Sequence, residues 1–252
     1  MALTEAFANM PSGMFWLVVG VFALAGMVKG VVGLGLPTIS MALLALFMTP
    51  VQAAALLIIP SLVTNVWQTR PLRRLAPLWR RVGGLQVGIG VGTVAGALVL
   101  GAPAGEWASM ALGVVLLVYS AWGFFGKPWH VPVHMEKWLG PVVGVATGFV
   151  TAGTGVFVVP AVPYLQALGL GRDDLIQTMG VSFTVSTVAL AAGLWINDSY
   201  SFGAAGASLV MLVPALAGMY VGQLLRQSLS PKVFRYCMFS SLALLGAYLL
   251  WR

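Results

Sequence analysis

The stretch that decides the fold is GMVKGVVGLGLP, residues 26–37, which interrupts a long apolar run near the start of the chain. Between Ala6 and Gln68, Lys29 is the only charged residue. Four glycines and a proline within these twelve residues destabilise a continuous helix. Within a bilayer, non-helical backbone is tolerated only where protein buries it or where water reaches it. The stretch therefore predicts a membrane segment with a break at a buried or water-lined position.

The rest of the chain is as apolar as this segment. Of its 252 residues 60% are hydrophobic and 8% are charged, and the mean hydropathy is +0.96. Soluble domains carry about 25% charged residues, and a membrane span takes roughly 20 apolar residues. Charge-free stretches long enough for a span recur, which predicts an all-α polytopic membrane protein with no globular domain outside the bilayer. These stretches are 82–105, 107–126, 138–171, 175–197, 199–225 and 236–251.

The net charge of +7 does not indicate a nucleic-acid partner. The cations lie in short loops between apolar runs, as topology signals do. Cys237 is the single cysteine and cannot form an internal disulfide. The N-terminus lacks a basic flank and carries Glu5, so the apolar run at 14–27 is predicted to belong to the fold rather than to a cleaved signal peptide.

The pattern of apolar runs occurs twice, which indicates an internal duplication. The second glycine-rich stretch is GFVTAGTG, residues 148–155, and it leads to Pro160. In each half a helix with a polar cluster, a glycine-spaced helix and a plain apolar helix follow. We expect two homologous repeats, 1–126 and 138–252, joined by a cytoplasmic linker at 127–137. The polar clusters are Ser61, Thr64, Asn65 and Gln68 in the first half, and Ser182, Thr184, Ser186 and Thr187 in the second.

Two topologies fit these repeats. If the glycine-broken runs, about 14–46 and 139–168, each cross once, there are eight spans and the halves are parallel. If each run enters and returns as a re-entrant hairpin, there are six full spans plus two hairpins and the halves are inverted. The inverted arrangement puts eleven of the thirteen Lys and Arg residues in the cytoplasm, whereas the eight-span arrangement puts eight there and four outside. The positive-inside rule favours the inverted arrangement.

Glycine breaks at matching positions of two repeats are typical of a transporter site. A half-helix that begins after such a break directs free N–H groups and a positive dipole end at the gap, which favours an anion. The alternative is that these glycines only allow close helix packing, because glycine is common in membrane helices.

Lys29 is a cation without an acid in any apolar run to pair with it. A charge at mid-bilayer costs about 2.5–3.5 kcal/mol on insertion scales, so it is expected to face a cavity or a partner. An anionic substrate would meet that need. The competing interpretation is that the Lys29 side chain extends to a lipid headgroup.

The candidate substrate-binding residues combine this cation with neutral hydrogen-bonding groups around the two breaks. For any single hydroxyl, a bond to its own helix is the competing role. No catalytic residue, metal site or cofactor is predicted, since the two histidines, His130 and His134, make only a weak metal site. The candidates are Lys29, Gly33, Gly35, Thr38, Thr64, Asn65, Thr151, Gly153, Thr154, Gly155, Ser182 and Ser186.

The repeated glycine-rich motif resembles the sulfite exporter TauE/SafE family, also called the toluene sulfonate uptake family. The resemblance includes Pro50-Val-Gln-Ala-Ala in the first half and Gly171-Arg-Asp-Asp in the second, and covers about residues 14–250. It implies transport of a sulfur-containing anion, such as sulfite, a sulfonate or sulfoacetate, across a bacterial inner membrane. By position it implies a site at 29–38 and 151–157 and on the polar helix faces that follow.

The leading functional hypothesis is a multi-pass carrier that moves a small anion by alternating access, as a monomer or a homodimer in the lipid bilayer. An anion channel, or a transporter of another small anion, is the alternative. A channel would be expected to carry rings of cations along its pore. An enzyme is not predicted, because the apolar runs contain no nucleophile–base pair, metal set or paired carboxylates. A non-transporting scaffold would leave the mirrored polar clusters without a purpose.

Overall fold

The computed structural model describes residues 12–70, 75–127, 129–226 and 230–251. These residues form ten α-helices, and none of them forms a strand. The prediction of an all-α protein is thereby confirmed. The helices are α1 (Ser12–Val32), α2 (Leu36–Leu44), α3 (Pro50–Gln68), α4 (Leu75–Leu100), α5 (Gly105–Phe125), α6 (Val133–Thr154), α7 (Ala161–Ala167), α8 (Arg172–Ile196), α9 (Phe202–Leu225) and α10 (Pro231–Trp251).

The same order of helix lengths occurs twice. A long helix, a short helix and three long helices make up α1–α5, and the same sequence of lengths makes up α6–α10. Both breaks lie where the glycine-rich stretches end. Gly33 and Gly35, after α1, have φ of 82° and 113°, and Gly155, after α6, has φ of 67°. Residues with a side chain rarely adopt this left-handed backbone conformation, so glycine allows both helices to end there.

Seven helices of the described residues are long and apolar enough to cross a membrane, namely α1, α3, α4, α5, α8, α9 and α10. Many large apolar side chains on them face outward, as a lipid-facing surface requires, including Trp16 and Trp251. The chain is therefore a multi-pass membrane protein, which in bacteria means the inner membrane. α6 has 22 residues but carries Glu136 and Lys137 near its start, while α2 and α7 have only 9 and 7 residues. The number of full crossings stays a prediction.

The two most extensive helix pairs are parallel and join the halves through glycine. α1 runs along α9, and α4 runs along α6. In each pair, both helices have two glycines that lie against backbone carbonyls of the partner helix. Such contacts let two backbones approach closely in a membrane. The contacts are Gly26 with Ala215, Gly30 with Met219, Gly218 with Ala23 and Gly222 with Met27 in the first pair, and Gly88 with Pro141, Gly92 with Val145, Gly144 with Leu85 and Gly148 with Ile89 in the second.

Two pairs of helices that hold the same place in the two halves pack antiparallel. In the pair α5–α10, Gly113 lies against Gly246 and Gly123 against Phe239. In the pair α3–α8, Asn65 contacts Thr187 and Gln68 contacts Ile176. Antiparallel packing of counterparts is what an inverted duplication predicts. The duplication itself and its boundaries stay a prediction that these contacts support.

Each short helix belongs to a segment that returns to the end of the molecule where its long helix began. After α7 the chain comes back beside the start of α6, where the Val131 N–H donates to the Ala167 carbonyl at 2.9 Å. After α2 the chain is again at the end where α1 starts, because α3 then runs from there and brings Gln68 to Gly33 at the far end of α1. Both glycine-broken runs therefore fold back on themselves.

The helix directions gather the cations at one end of the molecule, which we call the basic end. It comprises the C-terminal ends of α1, α3, α5 and α9 and the N-terminal ends of α4, α6, α8 and α10. Glu106 and Asp198 lie at the opposite end. By the positive-inside rule we expect the basic end to face the cytoplasm. Apart from Lys29, the described cations of the basic end are Arg70, Arg80, Arg81, Lys127, Lys137, Arg172, Arg226 and Arg235.

Candidate anion-binding site

Lys29 lies one turn before the end of α1 and is almost fully buried, with 3% of its surface exposed. α1 packs against α9 on its glycine face. Lys29 instead reaches α3, where its Nζ donates a hydrogen bond to Oδ1 of Asn65. The side chain therefore points into the protein and not towards a lipid headgroup, which the sequence had left as the alternative.

Asn65 extends this contact to the second half of the chain. Its Nδ2 donates to Oγ1 of Thr187 on α8 at 3.4 Å, and the Thr187 hydroxyl donates to the Phe183 carbonyl at 2.6 Å. Asn65 and Thr187 are both fully buried. We call Lys29, Asn65 and Thr187 the Lys29 cluster. It joins α1, α3 and α8 where the two antiparallel counterpart helices cross.

In its charged form Lys29 has no counter-ion among the described residues. An ammonium group has three donors, and the described residues supply one acceptor, the Asn65 amide oxygen. No described acid pairs with Lys29. Glu136 pairs instead with Arg81, through contacts of 2.6 and 2.8 Å at the basic end. Burying a charge without a partner is costly, so an anion beside Lys29 would stabilise the cluster.

Several buried hydroxyl and amide oxygens in the described core make no hydrogen bond. Buried polar atoms nearly always have a hydrogen-bond partner, so a group of atoms without one indicates a bound ligand or ordered water. Ser186 precedes Thr187 on α8. By the antiparallel register of α3 and α8, Ser61 lies opposite that turn. The unpartnered atoms are Oγ1 of Thr38 and Thr93, Oγ of Ser40, Ser61 and Ser186, and Oε1 of Gln68 and Gln86.

Ser182, a predicted site residue, accepts a hydrogen bond from Nε2 of Gln86 at 2.9 Å. Gln86 is buried on α4, and its Oε1 has no partner. Sequence reasoning did not single out Gln86 because it stands among the packing glycines of α4. A lone side-chain amide in an apolar run was the signal that could have found it. Thr187 was part of the predicted polar cluster but was not chosen as a candidate.

The N-terminal end of α2 is open in the way that the glycine break predicts. Its N-cap, Gly35, provides no side-chain hydrogen bond, and Thr38 in the first turn keeps an unpartnered hydroxyl. Gln68 holds the break in place, since its Nε2 donates to the Gly33 carbonyl at 2.7 Å and to the Ile176 carbonyl at 3.1 Å.

Five other candidates satisfy their hydrogen bonds locally or serve packing. Thr64, Thr151 and Thr154 donate to carbonyls of their own helices, those of Pro60, Thr147 and Val150, at 2.6–2.8 Å. Thr154 also accepts from the Val156 N–H at 3.2 Å and so stabilises the second break. Gly153 faces Trp107 and Leu100. In the second break Gly155 lies against Met41. Their contact with a substrate stays a prediction.

These features define a class: polytopic helical membrane proteins whose buried polar centre lies between two similarly built halves, as in secondary transporters. A family model described as sulfite exporter TauE/SafE matches residues 18–249. The chain belongs to this family of membrane sulfur-anion transporters, which confirms the resemblance seen in the sequence. Neither a curated protein nor a solved structure matches the chain.

Proposed function

We propose that the protein carries a small sulfur oxyanion, of the sulfite, sulfonate or sulfoacetate class, and binds it at the Lys29 cluster. The observation that carries this proposal is the burial of Lys29 with a neutral amide as its described partner. A bound oxyanion would accept the remaining ammonium donors. It would also accept from nearby orphan hydroxyls such as Ser61 and Ser186.

Alternating access is the mechanism that this arrangement supports. Lys29 and Asn65 come from the first half and Thr187 from the second, so a movement of one half against the other changes which side reaches the anion. The inverted repeats at 1–126 and 138–252 are part of this proposal, and the antiparallel counterpart helices support them. The proposal assigns no catalysis and no cofactor to the chain.

The test is flux of radiolabelled sulfite in proteoliposomes, with sulfate and a sulfonate as competitors and an imposed membrane potential of either sign. Saturable flux that responds to the potential and to one competitor supports a carrier. Flux that does not saturate would indicate the channel instead. No flux of any sulfur anion would contradict the substrate class.

Two variants tie the flux to the Lys29 cluster. Lys29→Met keeps the length of the side chain and removes its charge, and we expect it to lower sulfite binding by at least about 100-fold. Asn65→Asp keeps the shape but provides an internal counter-ion, and we expect it to weaken binding about tenfold or more by competing with the anion. Both variants should elute as folded protein. Unchanged binding in both would remove the cluster from the site.

A further inference from the structure

The basic end contains a cavity of about 270 Å³ beside the break that follows α1. Val32 and Leu34 line it from the break, and Trp122 lines it from the end of α5. Its charged walls are Lys127, after α5, and Arg235, in the first turns of α10. The described residues that line it include no acid. We call this the basic cavity.

A second cavity of about 590 Å³ lies at the opposite end and is built from the corresponding elements. It lies between the turn after α2, the start of α5 and the end of α10. The basic cavity, by comparison, lies between α7, the end of α5 and the start of α10. Among the described residues lining it, Glu106 carries the only charge. Two equivalent places in the halves therefore differ in the sign of their charge.

We propose that the basic cavity is a second, weaker oxyanion site that loads the Lys29 cluster from the basic end. This proposal rests on the proposed function of the Lys29 cluster. The opposite cavity, with Glu106, disfavours an anion, so loading is one-sided. Clefts lined by one sign of charge raise the local concentration of the opposite ion.

The chemistry of the walls suits an oxyanion. The Arg235 guanidinium donates to the Gly123 carbonyl at 2.9 Å, which fixes its position and leaves further N–H donors free. Lys127 is exposed to the cavity mouth and adds a second cation. A water molecule takes about 30 Å³ in the liquid, so the cavity admits an oxyanion with part of its hydration shell.

The position of the cavity suits loading. Val32 and Leu34, in its wall, follow Lys29 by three and five residues on the same segment. In this proposal the anion passes from Lys127 and Arg235 by the glycine break to the turn of α1 that carries Lys29. Gly33 and Gly35, which flank Leu34, add no side chain to this segment.

The test measures sulfite binding to the full chain in nanodiscs of zwitterionic phosphatidylcholine at low salt. We expect a tight and a weak component in the wild type. Lys127→Gln with Arg235→Gln should abolish the weak component and keep the tight one, while Lys29→Met should do the reverse. Lys137→Gln with Arg172→Gln is the matched control, because it removes the same charge from the same end outside the cavity, and it should keep both components.

Transport gives an independent measurement. In proteoliposomes the cavity variant should raise the half-saturation concentration of sulfite about tenfold at low salt, with little change in maximal rate. The difference should shrink as salt is added. An unchanged weak component and half-saturation, or equal effects in the control, would overturn the proposal. A missing tight component in the wild type would instead contradict the proposed function.

An anionic lipid headgroup has the same oxyanion chemistry, and a further arm separates the two sources. Binding is repeated with phosphatidylglycerol in the nanodiscs. If sulfite binds weakly in phosphatidylcholine and the lipid competes with it, the soluble anion is supported as the ligand. If the weak sulfite component is absent in phosphatidylcholine and only lipid retention depends on Lys127 and Arg235, the loading site is overturned.

Discussion

The two glycine-broken hairpins share an architecture but differ in their chemistry. Both α1 and α6 offer a pair of glycines to a partner helix, Gly26 and Gly30 on one and Gly144 and Gly148 on the other. The residue before the second glycine of each pair is Lys29 in α1 and Thr147 in α6. Lys29 reaches across to Asn65, whereas the Thr147 hydroxyl donates to the Val143 carbonyl of its own helix.

This difference distinguishes the residues that pack the helices from the residue that we propose binds the anion. The shared glycines are explained by close helix packing, which both halves need equally. The charge is present in one half only, so it is not required by the packing pattern. The first hairpin therefore holds the anion in our proposal, and the second provides a matched framework with neutral groups.

The largest effect is expected where both halves are built alike. Gly26→Leu in α1 and Gly88→Leu in α4 would each drive a side chain into the backbone of the partner helix, at Ala215 and at Pro141. We expect each to destabilise the protein by about 3 kcal/mol. Thermal unfolding of the purified protein, followed by loss of monodisperse material, measures this.

Each glycine has a control in its own helix. Gly20 of α1 and Gly90 of α4 have no atom near the position that a Cβ would take. Gly20→Leu and Gly90→Leu should therefore leave the unfolding temperature nearly unchanged. Equal losses at the packed and the open glycines would show that the α1–α9 and α4–α6 contacts do not hold the halves together.

The intermediate effect distinguishes the two hairpins. Thr147→Val removes a hydroxyl that is satisfied within α6, and we expect sulfite binding to change by less than about threefold. Lys29→Met, at the corresponding place, should lower it by at least about 100-fold. Isothermal titration on both variants measures the ratio. Similar losses in both would mean that the anion contacts both hairpins and that the asymmetry is not functional.

The sequence was sufficient for the fold class and the family, and it singled out Lys29 as a charge inside an apolar run, because charge and hydropathy are local properties. It predicted both breaks, since clustered glycines indicate backbone conformations that residues with a side chain rarely adopt. It could not identify which acceptor Lys29 meets, since Asn65 is 36 residues away and depends on how α1 and α3 pack. Whether Thr64 or Thr151 bonds its own helix or faces the interior likewise depends on helix rotation, which a single sequence does not determine.

The smallest effect tests whether the halves share the anion. Ser61 on α3 and Ser186 on α8 are fully buried, and both hydroxyls lack a partner. If each donates one hydrogen bond to a bound oxyanion, Ser61→Ala and Ser186→Ala should each weaken sulfite binding about fivefold, corresponding to about 1 kcal/mol. Thr93→Ala removes another unpartnered hydroxyl, on α4 and outside the α3–α8 pair, and serves as the control. Equal losses at Ser61 and Ser186 would place the anion between α3 and α8, where a movement of the halves can transfer it. A loss at Ser61 alone would confine the anion to the first half, and the second half would then move around the site without contributing to it.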